Sequence, residues 1–194
     1  MSYCESAPGH PHHGPYHDRE YGFPLANDDR LFERLVLEIN QAGLSWLTVL
    51  KKREAMGAAY AGFAIEAVAA FDEADRARLM ADAGIIRNRR KIAAAIENAR
   101  RLIALRREHG SFAAWLDAHV GLDREAWVVL FRRRFVFVGG EIVGEFLMST
   151  GYLPGAHELW CPVAARILAL APPWTREGPG GHEKSKAPKG LAQK

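Results

Sequence analysis

This sequence of 194 residues is short of three things. It has two cysteines, Cys4 and Cys161. A disulfide scaffold is therefore excluded, and a single bridge between the chain's two ends is not expected where no export signal is visible. Its apolar runs fall far short of the roughly 20 residues that span a bilayer, and no apolar signal core opens the chain. The expectation is a cytosolic protein without a membrane partner. It also lacks any run of period-two alternation and any fixed-period repeat, which argues against sheets and solenoids.

What the chain does have is an ordinary globular balance of 48% hydrophobic and 25% charged residues. Length and composition suit a substantial core. Net charge is only +3, but its distribution is uneven. Arg87, Arg89, Arg90, Lys91, Arg100, Arg101, Arg106 and Arg107 crowd one short region. Such a cluster suits either a polyanion or a solvated helix face.

Helical periodicity and cap residues organise the rest. Met1 to Asn27, rich in Gly, Pro, His and Tyr, reads as irregular. Asp28 and Asp29 can cap a helix to about Ala42, and Ser45 one from Trp46 to about Ala61. Asp72 or Asp75 opens a helix to about Ala81, and a long basic helix runs from about Arg89 to Glu108. Further helices are read over Ser111–Ala118, Glu125–Arg134 and Glu141–Ser149, with a last one from Cys161 or Pro162 to about Leu170. The fold class is all-α. One domain over residues 1–171 is expected, followed by a disordered basic tail, 172–194.

Three groups of residues carry chemistry. Cys4 and His17 stand near one end of the chain, and His157 and Cys161 near the other. Two thiolates and two imidazoles complete a closed tetrahedral zinc site. His10, His12 and His13 are rival ligands, and two unrelated cysteines with stray histidines are the plainer reading. Next, "LMADAGIIRNRRKIAAAIENA" places Gly84 after one helix and Arg87, Arg89, Arg90 and Lys91 at the start of another. This is a helix-hairpin-helix pattern over about 75–108, with Ile86 where such hairpins usually have a second glycine. Free N–H groups at a helix start bind phosphate, and nearby cations add sequence-independent affinity. A plain core connection is the alternative. Third, Glu38 falls on the apolar face of its helix, three residues after Leu35 and seven after Leu31. Trp46 begins the following helix, and Tyr16 and Tyr21 lie upstream. A carboxylate among aromatics can hold a flat, electron-poor base. Otherwise it is a buried Glu satisfied by neighbours.

Together "YHDREYGFP", "LVLEINQAGLSWLTVLKKRE", "DAGIIRNRRKI", "FVFVGGEIVGEFLMSTGYL" and "HELWC" resemble the 3-methyladenine DNA glycosylase I family, in the family's order. The resemblance implies an all-α fold of the helix-hairpin-helix glycosylase superfamily. It implies a monofunctional base-excision repair enzyme acting on double-stranded alkylated DNA and releasing free 3-methyladenine. It implies one structural zinc ion on Cys4, His17, His157 and Cys161, which staples the chain's ends together. It makes Glu38 the catalytic residue and Tyr16, Tyr21, Glu38 and Trp46 the base pocket. It leaves Gly84, Arg87, Arg89, Arg90 and Lys91 to the DNA, and Lys51 and Lys52 without a lyase role. A monomer is expected. The chain departs from the family pattern where "CGW" becomes Cys4-Glu5-Ser6, where a tyrosine becomes His13, a tryptophan Tyr21 and a glycine Ile39, and in a shorter stretch between Trp115 and Trp127. A non-catalytic binder of alkylated or flipped bases is the alternative, and a free-nucleobase-binding protein that has lost DNA affinity is a weaker one.

Overall fold

The structure, a computed structural model, describes residues 2–176. Among them there is no strand, and no helix is long and apolar enough to cross a membrane. The helices run in the order α1 (Tyr3–Ser6), α2 (His13–Arg19), α3 (Asp28–Gln41), α4 (Trp46–Ala59), α5 (Ile65–Ala69), α6 (Glu73–Ala81), α7 (Arg89–His109), α8 (Phe112–Asp117), α9 (Arg124–Arg134), α10 (Gly140–Ser149) and α11 (Pro162–Ala169). Short 3-10 turns sit at Ala61–Phe63 and Pro173–Thr175.

The helix starts follow their caps. Ser45 accepts from the N–H of Thr48, Asp72 forms a capping box with Asp75, and Ser111 accepts from the N–H of Ala114. Each side-chain oxygen satisfies an otherwise orphaned N–H. One cap differs from expectation. Asn27, not Asp28 or Asp29, caps α3. The Asp28 carboxylate instead accepts from the N–H groups of Phe112 and Ala113 and from Arg106, which ties α3 to α7 and α8.

Helix α3 is the axis of the molecule. Every residue from Leu31 to Asn40 is buried. A helix enclosed on all sides needs apolar residues nearly all round, and its apolar members pack with Ile65, Ile92, Leu102, Phe112 and Phe146 in one core. A second, small core joins Cys4, Cys161, Val163 and Ile167. Two expectations for the ends are corrected. The N-terminal segment is not irregular, since it folds as α1 and α2. Order also continues past residue 171, where Pro172 and Pro173 are buried and the Trp174 N–H donates to the Gly151 carbonyl. The rest of the expected tail, 177–194, lies outside the described residues.

Candidate functional site

Helix α3 buries four polar side chains besides its apolar ones, and three of them are satisfied. Glu33 pairs with Arg53 at 2.8 Å and Arg30 at 3.1 Å. Arg34 donates to the Tyr16 hydroxyl, the Ser149 carbonyl and Glu20. Asn40 donates to the Val36 carbonyl. Glu38 is 4% exposed, and no described residue hydrogen-bonds to its carboxylate. Burial pushes its carboxyl up to about 8, against the pull of the Arg34 guanidinium and with a further push from Glu145. An unpartnered buried carboxyl is costly.

The wall around Glu38 is aromatic. Tyr16 on α2 is buried, its ring 5.0 Å from Trp46 at the start of α4 and 5.7 Å from Tyr21. Burial holds the Tyr16 hydroxyl well above its ordinary range, with Arg34 opposing and Glu38 adding to the rise. The indole N–H of Trp46 is buried without a partner among the described residues. The structure therefore brings Tyr16, Tyr21, Glu38 and Trp46 together. It leaves an orphan acceptor and an orphan donor in one cluster. Of the departures, Tyr21 stands in this wall, whereas Ser6 is exposed, His13 packs on Tyr3, and Ile39 is core.

Two residues of this site went unmarked in the sequence. Arg34 lies over the Tyr16 ring at 4.8 Å and donates to its oxygen at 2.9 Å. Its place four residues before Glu38, on the same helix face, was the available signal. Glu145 on α10 accepts from the Tyr21 hydroxyl at 3.2 Å. No sequence pattern links it to Tyr21.

The ligand atoms of Cys4, His17, His157 and Cys161 all lie within 4.8 Å of one another. Cys4 Sγ is 3.5 Å from His157 Nδ1. Cys161 Sγ is 3.6 Å from the same atom and 3.7 Å from His17 Nε2. Bonds of about 2.0–2.3 Å at tetrahedral angles separate ligand atoms by about 3.3–3.8 Å, so the spacing suits one ion. The opposite ring nitrogens are also held. His17 Nδ1 meets Asp18 at 2.7 Å, and His157 Nε2 meets the Tyr21 carbonyl at 2.8 Å. Such outer partners fix ring orientation in metal sites. Both cysteines are free thiols, and this cluster can hold a metal. The rival histidines do otherwise: His10 Nδ1 accepts from the N–H groups of His12 and His13.

The turn between α6 and α7 carries the basic residues. Gly84 fits because a Cβ there would lie 3.2 Å from that of Ala55. Asn88 caps α7 by accepting from the N–H groups of Arg90 and Lys91. Arg87, Arg89 and Arg90 are exposed and have no ion-pair partner among the described residues, with Arg90 lying over the Phe137 ring. Lys91 does not join them, which corrects the expectation of five DNA-facing residues. It is 5% exposed, and its ammonium donates to the carbonyls of Asn40 and Ala42 at the end of α3. Arg100 likewise donates to the Ala69 and Phe71 carbonyls, and Arg106 pairs with Asp28 and Glu66. Lys52 is held by the carbonyls of Ala83 and Gly84.

Similarity to known proteins places the chain in a family. Residues 6–129 match the methyladenine glycosylase family model. The DNA-3-methyladenine glycosylase 1 of Escherichia coli K12 is 37% identical over 165 residues, covering 75% of this chain and 88% of that protein. A crystal structure of a 3-methyladenine DNA glycosylase I variant in complex with 3-methyladenine superposes with a TM-score of 0.76 at 31% identity, covering 84% of this chain and 97% of its own. The Staphylococcus aureus 3-methyladenine DNA glycosylase I gives 0.75 at 32% identity, covering 84% and 96%. The fold, the matched residues and these relatives agree: the chain belongs to the methyladenine glycosylase family.

Proposed function

We propose that this chain is a DNA-3-methyladenine glycosylase of base-excision repair. The observation that carries the reading is the partnerless Glu38 carboxyl enclosed by Tyr16, Tyr21 and Trp46. Methylation at the minor-groove ring nitrogen makes adenine cationic and weakens its bond to the sugar. The enzyme therefore needs selection more than force. The nucleotide is flipped out, a cost of a few kcal/mol that damage lowers. The base then enters the aromatic wall, where stacking favours an electron-poor ring. With its carboxyl raised to about 8, Glu38 is largely neutral near pH 7 until a cation arrives. The cation favours the ionised form, so capture of the lesion releases a proton. Normal adenine brings no charge and gains nothing from Glu38. When the glycosidic bond breaks, its electron pair stays with the base, which leaves neutral. Water bonds to the sugar carbon and gives its proton to solvent.

The exposed Arg87, Arg89 and Arg90 with Gly84 form the contact to duplex DNA, within a helix-hairpin-helix unit made by α6 and α7. Zinc is the metal we assign to Cys4, His17, His157 and Cys161, in a closed and purely structural site. Lys52 is engaged in the hairpin, which supports a monofunctional enzyme without lyase activity. A cytosolic monomer with one catalytic domain completes the reading.

The test is incubation of the full chain with methylated duplex DNA and chromatography of the released bases. Free 3-methyladenine is the expected product. Binding of the damaged DNA without release would favour the alternative, a non-catalytic binder, which the exposed Ser6 in place of a pocket tryptophan motivates.

A further inference from the structure

Two hydroxyls face the base pocket, and the structure fixes their hydrogen-bonding sense. Tyr16's oxygen accepts from Arg34 Nη1 at 2.9 Å, so its proton is left to be donated elsewhere. Tyr21 spends its only proton on Glu145 Oε2 at 3.2 Å, so its oxygen has only lone pairs left to offer. Trp46 adds an unpartnered N–H donor. The edge of an alkylated adenine offers both an amine and ring-nitrogen acceptors, and this wall answers with both kinds of partner. Tyr21 is held at three points. Its ring lies against Tyr16 and Tyr3, its carbonyl meets His157, and its hydroxyl meets Glu145.

Glu145 is a charged group on a helix that packs on α3, and Glu38 feels that charge. We propose that Glu145 is a positioning residue of the base pocket, one that holds the Tyr21 hydroxyl and lays a second negative charge beside Glu38. This rests on the base-pocket reading above. Among the described residues the groups acting on Glu38 are Arg34 on its own helix and Glu145 on α10, and Glu38 in turn acts on Tyr16 and Tyr21. Glu145 itself is acted on by Tyr21, Glu141 and Arg124. A carboxylate on α10, packed on α3, hinders ionisation of Glu38, so Glu38 stays neutral until a cationic base enters.

The test uses the full chain with 13C at its glutamate carboxyls, and Glu38→Gln identifies the Glu38 signal. That signal is expected to titrate in the parent chain with a midpoint of about 8. E145Q keeps the size of the side chain and an oxygen that still accepts from Tyr21, but removes the charge. The Glu38 midpoint is expected to move to lower pH, and the pH profile of 3-methyladenine excision should follow it, at unchanged melting temperature. Y21F keeps the charge and breaks the hydrogen bond. It should leave the Glu38 midpoint no lower and raise KM for methylated DNA by ~5-fold, the worth of one hydrogen bond. An unmoved Glu38 midpoint in E145Q overturns the charge role, and an unmoved KM in Y21F overturns the positioning role. A parent chain that releases no 3-methyladenine would overturn the functional reading alone, because the Glu38 titration still judges Glu145.

Discussion

Helix α3 buries two carboxylates five positions apart, and they live by different rules. Glu33 is 8% exposed and is clasped by Arg53 and Arg30. Its neighbour Glu20 joins the same clasp: burial alone would raise the Glu20 carboxyl, but Arg53, with Arg34 and Arg30, holds it below the usual range. Glu38, 4% exposed, has no hydrogen-bond partner among the described residues. Burial alone therefore does not mark a functional carboxylate. A completed set of partners marks a structural one, and a missing partner in an aromatic wall makes Glu38 the candidate for a ligand.

The Cys4–His17–His157–Cys161 cluster is the extreme case of the completed kind, because its polar atoms converge on one point and their outer sides are held too. Breaking it should give the largest effect. Under the zinc assignment proposed above, Cys161→Ser is expected to abolish the bound metal and to lower the melting temperature strongly, since a structural metal's binding energy is folding energy. Its reach extends to the pocket, because His157 holds the Tyr21 carbonyl. Metal-free parent protein that melts at the same temperature as the metal-loaded form would show that the cluster plays no structural role.

The contrast between Glu33 and Glu38 sharpens when one partner is removed from each side. Arg53→Ala leaves Glu33 and Glu20 without their main cation, a loss of about 3 kcal/mol for an enclosed pair. Excision per folded molecule should stay near the parent level. Glu38→Gln should do the reverse. Excision should fall by about 1–3 kcal/mol, the worth of a charge-assisted contact, while the fold gains in a pH-dependent way. An unfolded carboxyl loses its proton near 4.5, whereas folded Glu38 keeps its proton up to about 8. Between those values the folded chain binds more protons than the unfolded one, so this group's contribution to stability falls as pH rises and is fully unfavourable above the upper value. The melting-temperature advantage of Glu38→Gln over the parent should therefore grow from about pH 5 to about pH 9. A variant that keeps full excision and melts lower at every pH would make Glu38 a second Glu33.

Sequence reading reached the helices where local chemistry decides them. Ser45 caps the helix it was expected to cap, and of the two openers offered for α6, Asp72 is the cap. It missed α1 and α2 because their order comes from outside: Cys4 and His17 are drawn to residues near the other end of the chain. It marked the candidate site residues by their type and motif, and Glu38 by its place on an apolar face. It could not see Glu145, because the Tyr21–Glu145 contact spans 124 positions. Nor could it separate exposed cations from structural ones, since a row of arginines reads alike whether or not carbonyls wait beside them.

That last failure defines the smallest of these tests, at the hairpin. Arg90 and Lys91 are sequence neighbours, yet Arg90 is exposed at the helix start and Lys91 is turned under it, onto the Asn40 and Ala42 carbonyls. Burial lowers the Lys91 ammonium below its ordinary range, and the carbonyl contacts hold α3 and α7 together. Counterion release gives each phosphate contact a slope of about −0.9 in log affinity against log salt. Arg87→Ala with Arg90→Ala should therefore flatten the slope on undamaged duplex by about 2, at unchanged metal content and melting temperature. Lys91→Met should leave the slope where it is and cost about 1–2 kcal/mol of stability, because two carbonyls lose their donor. Salt titration beside thermal unfolding reads both at once. A slope that flattens with Lys91→Met and holds with the arginines replaced would reverse the two roles.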